Sequence, residues 1–405
     1  MPTRPLLGAS CIALALAAPA GLAQKKYDPG VSDTEIKIGQ TMPYSGPASS
    51  WATIGRVEAA YFRKINEEGG VNGRKIVFLS LDDGYSPPKT VEATRRLVEQ
   101  DEVLLLFGSV GTATNSAVHG YLNAKKVPQL FVGSGATKWN DPQNFPWTMG
   151  FTPSYQAEAR ILARHIMQTR PDAKVGVLYQ NDDFGKDYLK GLKDGLAPPA
   201  TIVASVSYEP TDPTVDSQIV ALQAAGADVF VNVTLPKFAA MAIRRAYDIG
   251  WRPTHYLTYA STSIATVLVP AGVEKSIGVM SAGIFKDVTD PQWASDPAIV
   301  EWTAFMKKYY PEGSLLDGFN TGGYAMAKTL VHVLKRCGDD LTRENVMRQA
   351  ASLNNFDTGM MRPGITLSTT ATDYAPVEAM QLSRFDGAHW VRFGEVIDVR
   401  GTARP

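Results

Sequence analysis

The chain has 405 residues, which is too long for one ordinary domain and enough for two domains with separate cores. Hydrophobic residues make up 44% of it and charged residues 20%, the mixture of a folded globular protein, which argues against disorder. Lys plus Arg and Asp plus Glu both number 40, so the chain has no net charge and lacks the basic footprint expected of a nucleic-acid binder.

The N-terminal segment differs from the rest of the chain. Arg4 precedes an apolar stretch from Leu6 to Ala18, which is too short to span a bilayer at about 20 residues and suits a secretory signal. We expect export to the periplasm and cleavage after Ala23. The alternative is a lipoprotein with lipid on Cys11, although Gly8 stands where such signals usually have leucine.

Cleavage at that point leaves Cys337 as the single cysteine, so an internal disulfide is impossible. Cys337 ends a helical pattern without an activating neighbour, which favours packing over reactivity. No later apolar run reaches about 18 residues, so we predict no membrane-spanning helix and expect a soluble mature protein.

From residue 35 onward, strand-like segments with a two-residue period alternate with helical segments. Four strand–helix repeats in succession predict a parallel sheet with helices on both faces. The predicted strands lie at 35–41, 74–83, 102–107 and 128–134, and the helices that follow the first three lie at 51–70, 87–100 and 114–126.

A stretch rich in proline and aromatic residues at 140–155 interrupts this pattern, and the alternation then resumes, which predicts a second α/β lobe. The predicted helices lie at 153–168, 184–195, 214–227 and 236–250, and the strands at 174–180, 201–209 and 228–234. Helical patterns from 297 and strand-like pieces at 364–368, 376–385 and 389–399 suggest that the chain returns to the first lobe and then to the second.

Ligands of open α/β sheets bind beyond the carboxyl ends of the strands. GSVGTATNS at 108–116 and GSGATKW at 133–139 follow two neighbouring strands with small residues and hydroxyls. Helix N-termini with such donors attract anions, so the two stretches predict an oxyanion cradle. The alternative is that they are ordinary helix caps, in which Ser, Thr and Asn are also preferred.

Residues at several strand ends are therefore candidate ligand contacts. Trp51, Phe184 and Tyr259 follow strands or loops at the expected cleft, where aromatic faces offer large contact areas, although core packing would also account for them. The complete set of candidates is Trp51, Ser109, Val110, Gly111, Thr112, Ser134, Gly135, Ala136, Phe184, Thr234, Tyr259 and Ser261.

Signatures of catalysis are poor. No phosphate-binding loop and no G-x-S-x-G nucleophile motif occurs, and the five histidines are scattered without metal-ligand spacing. The pair Asp82 and Asp83 could suggest acid–base chemistry, but adjacent strand residues point to opposite faces, which favours a turn or cap role. We predict no catalytic residue, no metal and no cofactor.

Several stretches in this order resemble the periplasmic leucine/isoleucine/valine-type solute-binding proteins of ABC transporters. The resemblance covers essentially the whole mature chain, and the GGVNGR turn with the following DDGYSPP stretch makes it specific. Its stretches are TEIKIGQTMPYSGPASSWATIG (34–55), INEEGGVNGRKIVFLSLDDGYSPPKTVEATRRLV (65–98), FGSVGTATNSAV (107–118), VPQLFVGSGATKW (127–139) and KVGVLYQNDDFGKDYLKGL (174–192).

The resemblance implies a type I periplasmic binding protein, with two doubly wound α/β lobes joined by three crossovers around a central cleft, and no catalysis. It implies a first lobe of 24–149 with 283–370 and a second of 150–282 with 371–405. Hinges are expected near 149–151, 280–284 and 368–376. By position, it implies that Thr112 meets a ligand carboxylate, that Ser134, Gly135, Ala136 and Thr137 add contacts, and that Trp51 and Phe184 pack beside the ligand.

One departure from the family concerns the ligand's amino group. Amino-acid binders of this family place an acidic residue after the strand that here reads YLTYASTS, yet no Asp or Glu occurs between 249 and 273. An ammonium buried without a counter-charge costs several kcal/mol. We therefore expect a cleft without an acid, and a carboxylate ligand that has an apolar or aromatic body and no amine, such as a benzoate-like or phenylpropenoid acid.

The resemblance implies that the partners are permease subunits in the inner membrane, and we expect a monomer. Branched-chain or other hydrophobic amino acids are the alternative ligands. A ligand sensor built on the same lobes is an alternative function, and a secreted enzyme would require a nucleophile, metal cluster or nucleotide loop that the sequence lacks.

Overall fold

A computed structural model describes residues 25–398. The expected signal peptide at 1–23, cleavage after Ala23 and the alternative lipid site at Cys11 lie outside the described residues. No helix among residues 25–398 combines the length and the hydropathy needed to cross a membrane.

The first lobe is built on a parallel sheet of five strands. Buried apolar residues, mainly Ile, Leu, Phe and Val, fill its central strands, which helices cover on both faces. The strands in this part of the chain are β1 (Lys26–Tyr27), β2 (Glu35–Met42), β3 (Lys75–Asp82), β4 (Leu105–Phe107), β5 (Gln129–Val132) and β6 (Thr148–Gly150), and the helices are α1 (Ala52–Glu67), α2 (Pro87–Glu99) and α3 (Thr112–Ala124). The order across the sheet is β3-β2-β4-β5-β6.

The second lobe is built on a mixed sheet whose first five strands are parallel. Its strands are β7 (Lys174–Gln180), β8 (Thr201–Tyr208), β9 (Val229–Val233), β10 (Thr254–Leu257) and β11 (Met280–Gly283). Its helices are α4 (Tyr155–Thr169), α5 (Asp183–Gly195), α6 (Asp216–Ala224), α7 (Pro236–Asp248) and the short α8 (Val269–Ala271) and α9 (Val273–Ser276).

The last third of the chain returns to both lobes. Helix α10 (Pro297–Tyr309), helix α11 (Gly318–Cys337), β12 (Asp340–Leu341) and α12 (Arg343–Ala350) belong to the first lobe, and β12 pairs with β1. Helix α11 packs on α1, with the rings of Tyr61 and Tyr324 5.0 Å apart. Cys337 at the end of α11 is buried, and burial raises the pKa of its thiol to about 12, which suits a packing residue.

Three antiparallel strands then complete the second sheet, in the order β14-β13-β11-β10-β9-β7-β8 with β15 beside β13. They are β13 (Ala379–Phe385), β14 (Trp390–Arg392) and β15 (Ile397–Asp398). The chain therefore runs from the first lobe's helices into the second lobe's sheet, while the lobe boundaries and hinge positions stay predictions.

The expectation of a strand at 364–368 is wrong. Only an isolated bridge joins Leu367 to Phe356, because Pro363 and Gly364, with a φ of +85° at the glycine, form a turn there. The apolar side chains of Ile365 and Leu367 are buried in an irregular segment instead. Their alternation with polar residues therefore indicates burial but not a strand.

The two lobes touch across the cleft. The indole Nε1 of Trp51 donates to the carbonyl of Ala260 over 3.0 Å, and Gln180 Nε2 donates to the Tyr85 hydroxyl over 3.2 Å. Each bond joins a loop at a carboxyl end of the first sheet to one of the second. The carboxyl ends of the two sheets thus face each other, which places the strand-end loops around one enclosed space.

Candidate ligand-binding site

The space between the lobes is a largely apolar cleft. Aromatic rings dominate its walls, and the few polar groups are hydroxyls, backbone groups at one helix start and a single carboxyl. Its lining comprises Trp51, Ile54, Tyr85, Val110, Gly111, Thr112, Gly133, Ser134, Phe151, Thr152, Pro153, Tyr155, Glu158, Phe184, Tyr259, Ala260, Phe285, Gly318, Phe319, Gly322 and Met326.

The first-lobe wall carries a cluster of hydroxyls at the start of α3. Ser134 Oγ accepts hydrogen bonds from the Trp139 indole over 3.0 Å and from the Ala136 N–H over 3.3 Å. Ser134 Oγ and Thr112 Oγ1 are 2.8 Å apart. Because Ser134 Oγ already accepts two hydrogen bonds, it donates its own hydrogen to Thr112 Oγ1. The Thr112 hydrogen is then left for a ligand, or for the Tyr155 hydroxyl 3.4 Å away.

No side chain caps the N-terminus of α3, and Gly111 and Thr112 at this end line the cleft. The first turn of a helix leaves backbone N–H groups without intrahelical partners. The residue before the helix, Gly111, has a φ of +111°, which favours glycine. A Cβ at Gly111 would lie 2.6 Å from the Tyr85 ring and 2.5 Å from Thr114 Oγ1. The glycine therefore lets α3 begin against the cleft wall, where its dipole favours an anion.

Aromatic side chains enclose the rest of the cleft. Trp51 and Tyr85 of the first lobe make an edge-to-face contact with ring centroids 5.9 Å apart, and the ring centroids of Tyr155 and Phe184, on α4 and α5 of the second lobe, lie 4.7 Å apart. Trp51 is 6% and Phe184 2% exposed. Such rings offer a large flat contact area to an apolar or ring-shaped solute.

The second-lobe wall contributes one carboxyl group, from Glu158 of α4. It is 2% exposed, and its Oε1 accepts the backbone N–H of Tyr259 over 2.7 Å. Burial raises the pKa of Glu158 to about 7, although the Tyr188 hydroxyl and the Tyr259 N–H favour the ionised form. The expectation of a cleft without an acid is therefore wrong, because α4 supplies one about 100 residues before the segment in which the family has it.

Comparisons with known proteins agree with this architecture. Residues 35–389 match the family described as periplasmic binding protein. The chain belongs to this family.

Among its relatives is the Leu/Ile/Val-binding protein homolog 7 of Brucella abortus, 25% identical over 364 residues that cover 82% of this chain and 84% of the relative. Two similar structures are a fatty acid ABC transporter substrate-binding protein from Thermomonospora curvata and a branched chain amino acid ABC transporter protein from Thermus thermophilus with bound valine. The first has a TM-score of 0.79 and 23% identity over 94% of this chain and 97% of its own. The second has a TM-score of 0.81 and 18% identity over 91% and 97%.

These likenesses confirm the predicted fold, the type I periplasmic binding protein fold. They also confirm the resemblance to the leucine/isoleucine/valine-type proteins. The relatives named above are solute-binding proteins.

The sequence-predicted contacts of this binding protein fall into two groups. The residues that line the cleft are Trp51, Val110, Gly111, Thr112, Ser134, Phe184 and Tyr259. The residues that lie behind its wall are Ser109, Gly135, Ala136, Thr234 and Ser261. For the cleft-lining group, contact with a ligand stays a prediction.

The second group has structural bonds instead. Ser109 Oγ accepts the Thr41 N–H over 3.1 Å, the Gly135 carbonyl accepts the Tyr155 N–H over 2.7 Å, and Ser261 Oγ donates to the Thr234 carbonyl. Position at a strand end does not by itself distinguish these residues from the ones that line the cleft. Successive side chains along a strand point to opposite faces, so only some of the residues at its end face the cleft.

Several cleft residues were missed by the sequence reasoning. Tyr155 and Glu158 are separated by three positions on α4, the spacing that places two side chains on one helix face. A glutamate among the buried apolar positions of that helix was the available signal. Phe285 and Phe319 lie in segments whose patterns carry no comparable signal. Among residues 25–398, no cluster of His, Cys, Asp or Glu suits a metal ion.

Proposed function

We propose that this protein is the extracytoplasmic solute-binding component of an ABC importer, and that it traps a small carboxylate with an apolar or aromatic body. The observation that carries the proposal is the uncapped start of α3 beside the Thr112 hydroxyl, in a cleft otherwise walled by rings. Neutral donors of this kind stabilise a carboxylate without a fixed cation. The apolar body of the solute would pack on Trp51, Phe184 and their neighbours.

The ligands named for the two similar structures support this ligand class. The Thermomonospora curvata protein carries fatty acid in its description, an acid without an amine, and the Thermus thermophilus protein holds valine. Both solutes combine a carboxylate with an apolar body, which is the part of the chemistry that the first-lobe wall suits.

Trapping is proposed to proceed by hinge closure. The contact between Trp51 and the Ala260 carbonyl and the contact between Tyr85 and Gln180 join the lobes directly, so a solute enters only when they separate. A ligand that prefers the closed state shifts the population toward it. The closed pair of lobes would then dock on the permease. X-ray scattering that finds no compaction at saturating ligand would count against closure.

A hydrophobic amino acid is the second candidate, and Glu158 is the observation that favours it. An ionised carboxylate at that position could pair with an α-ammonium, as the family's acid does elsewhere in the chain. The pKa of about 7 means that Glu158 is half protonated near neutrality, so it can serve either ligand class.

Matched ligand pairs separate the two candidates. 3-Phenylpropanoate and phenylalanine differ only in the α-ammonium, as do 4-methylpentanoate and leucine. Titration calorimetry of the mature protein is expected to show each acid binding more tightly than its amino acid, by roughly 100-fold, since a poorly paired ammonium costs about 3 kcal/mol. Tighter binding of both amino acids would overturn the proposed ligand class.

The variant Glu158→Gln gives an independent reading. It is expected to retain or improve affinity for 3-phenylpropanoate, because a carboxylate gains nothing from a nearby negative charge. Loss of phenylalanine binding in this variant, with binding of 3-phenylpropanoate retained, would identify an amine-bearing ligand. The matched control is Glu58→Gln, since Glu58 is equally buried in the first lobe but does not line the cleft.

A further inference from the structure

A second cavity, which we call the hinge chamber, lies beside the cleft. The two cavities share Tyr259, Phe285, Gly318 and Phe319 as common walls, so they are neighbouring parts of one interlobe space. Residues of both lobes line the chamber, including the end of β11 and the start of α11. It therefore sits where the chain passes between the lobes.

Arg362 is the chamber's unusual residue. It is 6% exposed, and its Nε and Nη1 donate to the carbonyls of Phe285 over 2.8 Å and Gln381 over 2.6 Å. Within residues 25–398, none of the ion pairs includes it. Burial lowers the pKa of Arg362 to about 10, so the guanidinium is still charged at neutral pH. A buried charge without a counter-ion is costly.

The backbone is shaped to hold this guanidinium in place. A Cβ at Gly283, the last residue of β11, would lie 2.8 Å from Arg362 Nη2. The glycine thus leaves room for the planar group against the strand, and the two carbonyl contacts fix its orientation. Three of its five N–H donors remain beyond those two bonds.

Two hydroxyls in the same chamber also lack partners. Ser383 Oγ on β13 and Thr321 Oγ1 on α11 are buried without a hydrogen bond among the described residues, and both line the chamber. Buried polar atoms are nearly always satisfied, so two unpartnered hydroxyls beside a guanidinium with unused donors call for a ligand. All three can donate, and an oxyanion accepts.

The other charged groups at the chamber already have partners. Lys286 Nζ lies 2.7 Å from Asp296 and donates to the Gly359 carbonyl. Asp287 accepts from the backbone and hydroxyl of Thr289 and from the Trp390 N–H at 2.7–3.0 Å. Arg362 and Asp287 are thus the two charged groups at this cavity that form no ion pair within the described chain, and the charge of Asp287 raises the pKa of Arg362. Asp287 already accepts three hydrogen bonds, whereas Arg362 keeps unused donors.

We propose that the hinge chamber binds a carboxylate, held by the Arg362 guanidinium and the hydroxyls of Ser383 and Thr321, and that this protein prefers elongated diacids. The inference rests on the proposed function, because the first acid group of such a solute would occupy the Thr112 cradle. The aromatic body would pass along the walls that the two cavities share. A guanidinium fork suits a carboxylate because it can form two parallel hydrogen bonds.

The test compares 3-phenylpropanoate with 3-(4-carboxyphenyl)propanoate, which adds one carboxylate at the far end of the ring. Calorimetry on the wild-type protein is expected to give the diacid an affinity advantage of at least roughly tenfold, the size of a charge-assisted contact. Arg362→Met is expected to abolish this advantage. An absent advantage in the wild type, or an undiminished one in the variant, overturns the proposal.

Because Arg362 also binds two carbonyls, its loss could disturb folding, so milder variants accompany it. Thr321→Val and Ser383→Ala are each expected to reduce the ratio of the two affinities by roughly three- to tenfold. Thr266→Val is the matched control, since Thr266 has an equally unpartnered hydroxyl but lines neither cavity. An equal change in the control overturns the assignment.

Two outcomes separate this proposal from the proposed function. If Arg362→Met weakens both acids equally, the chamber holds the solute's only acid group and the diacid proposal fails. If neither acid binds the wild type, the proposed function fails, and thermal unfolding in sodium acetate against sodium chloride at equal ionic strength tests the chamber alone. Stabilisation by acetate of the wild type but not of Arg362→Met supports a carboxylate site, and no difference overturns it.

Discussion

The two walls of the cleft carry opposite kinds of polar group. The first-lobe wall presents the Thr112 and Ser134 hydroxyls and the start of α3, which donate hydrogen bonds and do not titrate near neutrality. The second-lobe wall presents Glu158, a buried acid with a pKa of about 7. Under the proposed function, this difference predicts that the first lobe anchors a negative group, while the protonation state of Glu158 in the second lobe determines which second group is tolerated.

Glu58, in the interior of the first lobe, is a useful comparison for Glu158. It is fully buried, and burial raises its pKa well above the usual range, yet it does not line the cleft. Its Oε2 accepts from Gln40 Nε2. Two glutamates with similar burial thus differ in access, and access to the cleft is what makes Glu158 a candidate for function.

The largest expected effect comes from breaking the first-lobe wall with Gly111→Ala. The new Cβ would collide with the Tyr85 ring at a φ of +111°, so the start of α3 must move. We expect affinity for 3-phenylpropanoate to fall by at least roughly 100-fold, since hydrogen bonds together worth about 3 kcal/mol are lost. Calorimetry measures this, with Gly120→Ala as control because Gly120 is exposed on the same helix with open space around it. Equal affinities in the two variants would contradict the cradle.

A milder change to the same wall is Thr112→Val, which removes the hydroxyl whose hydrogen is left for a ligand and keeps the volume of the side chain. The loss of one bond to a charged group is worth about 1.5 to 2 kcal/mol, roughly 10- to 30-fold in the dissociation constant. The fold-loss is expected to be the same at pH 6 and pH 8, because the hydroxyl does not titrate. Thr329→Val, whose buried hydroxyl bonds the Ala325 carbonyl in α11, is the control. A pH-dependent loss would place a titrating group in the cradle.

The second-lobe wall is tested by the pH dependence of binding. Below a pKa of about 7, Glu158 holds its proton, and above it the group becomes a carboxylate that repels an acidic solute. Affinity for 3-phenylpropanoate is therefore expected to fall by up to about tenfold between pH 6 and pH 8. Glu158→Gln is expected to remove this dependence, and Glu58→Gln to keep it. An affinity for 3-phenylpropanoate that does not fall with pH would contradict this role of Glu158, and an affinity for phenylalanine that rises with pH would favour an ammonium-bearing ligand.

The smallest effect is expected for Ser261→Ala, behind the second-lobe wall. Ser261 donates to the Thr234 carbonyl and does not line the cleft, so affinity is expected to change less than about twofold while unfolding becomes easier by about 1 kcal/mol. Calorimetry and thermal unfolding together check this. A large loss of affinity at unchanged stability would show that Ser261 contacts the ligand.

Much of the cleft's first-lobe wall could be predicted because it depends on local order. Gly111 and Thr112 lie at the start of α3, a few residues after the buried strand β4 ends at Phe107, so their position at the sheet edge follows from the alternation of strands and helices. The same alternation predicted β7 at its observed bounds of Lys174–Gln180. At 364–368 the alternation of apolar and polar residues wrongly predicted a strand, because buried apolar residues can also alternate in an irregular segment.

The second-lobe acid and the hinge chamber could not be predicted in that way. Glu158 meets the Tyr259 backbone across 101 positions of sequence, and Arg362 meets Phe285 across 77. Local periodicity reports which face of an element is buried, but it does not report which distant element covers that face.

By itself, the sequence determined the family, the two α/β lobes and the donor-rich end of the first sheet, since these depend on short-range patterns and specific motifs. Only the tertiary structure decided which strand-end residues face the cleft. It also placed an acid in one wall of the cleft and a guanidinium without an ion pair in the wall of the adjoining chamber. The physical reason is that charge and burial depend on the neighbours brought together by the return of the chain between lobes, which no local pattern contains.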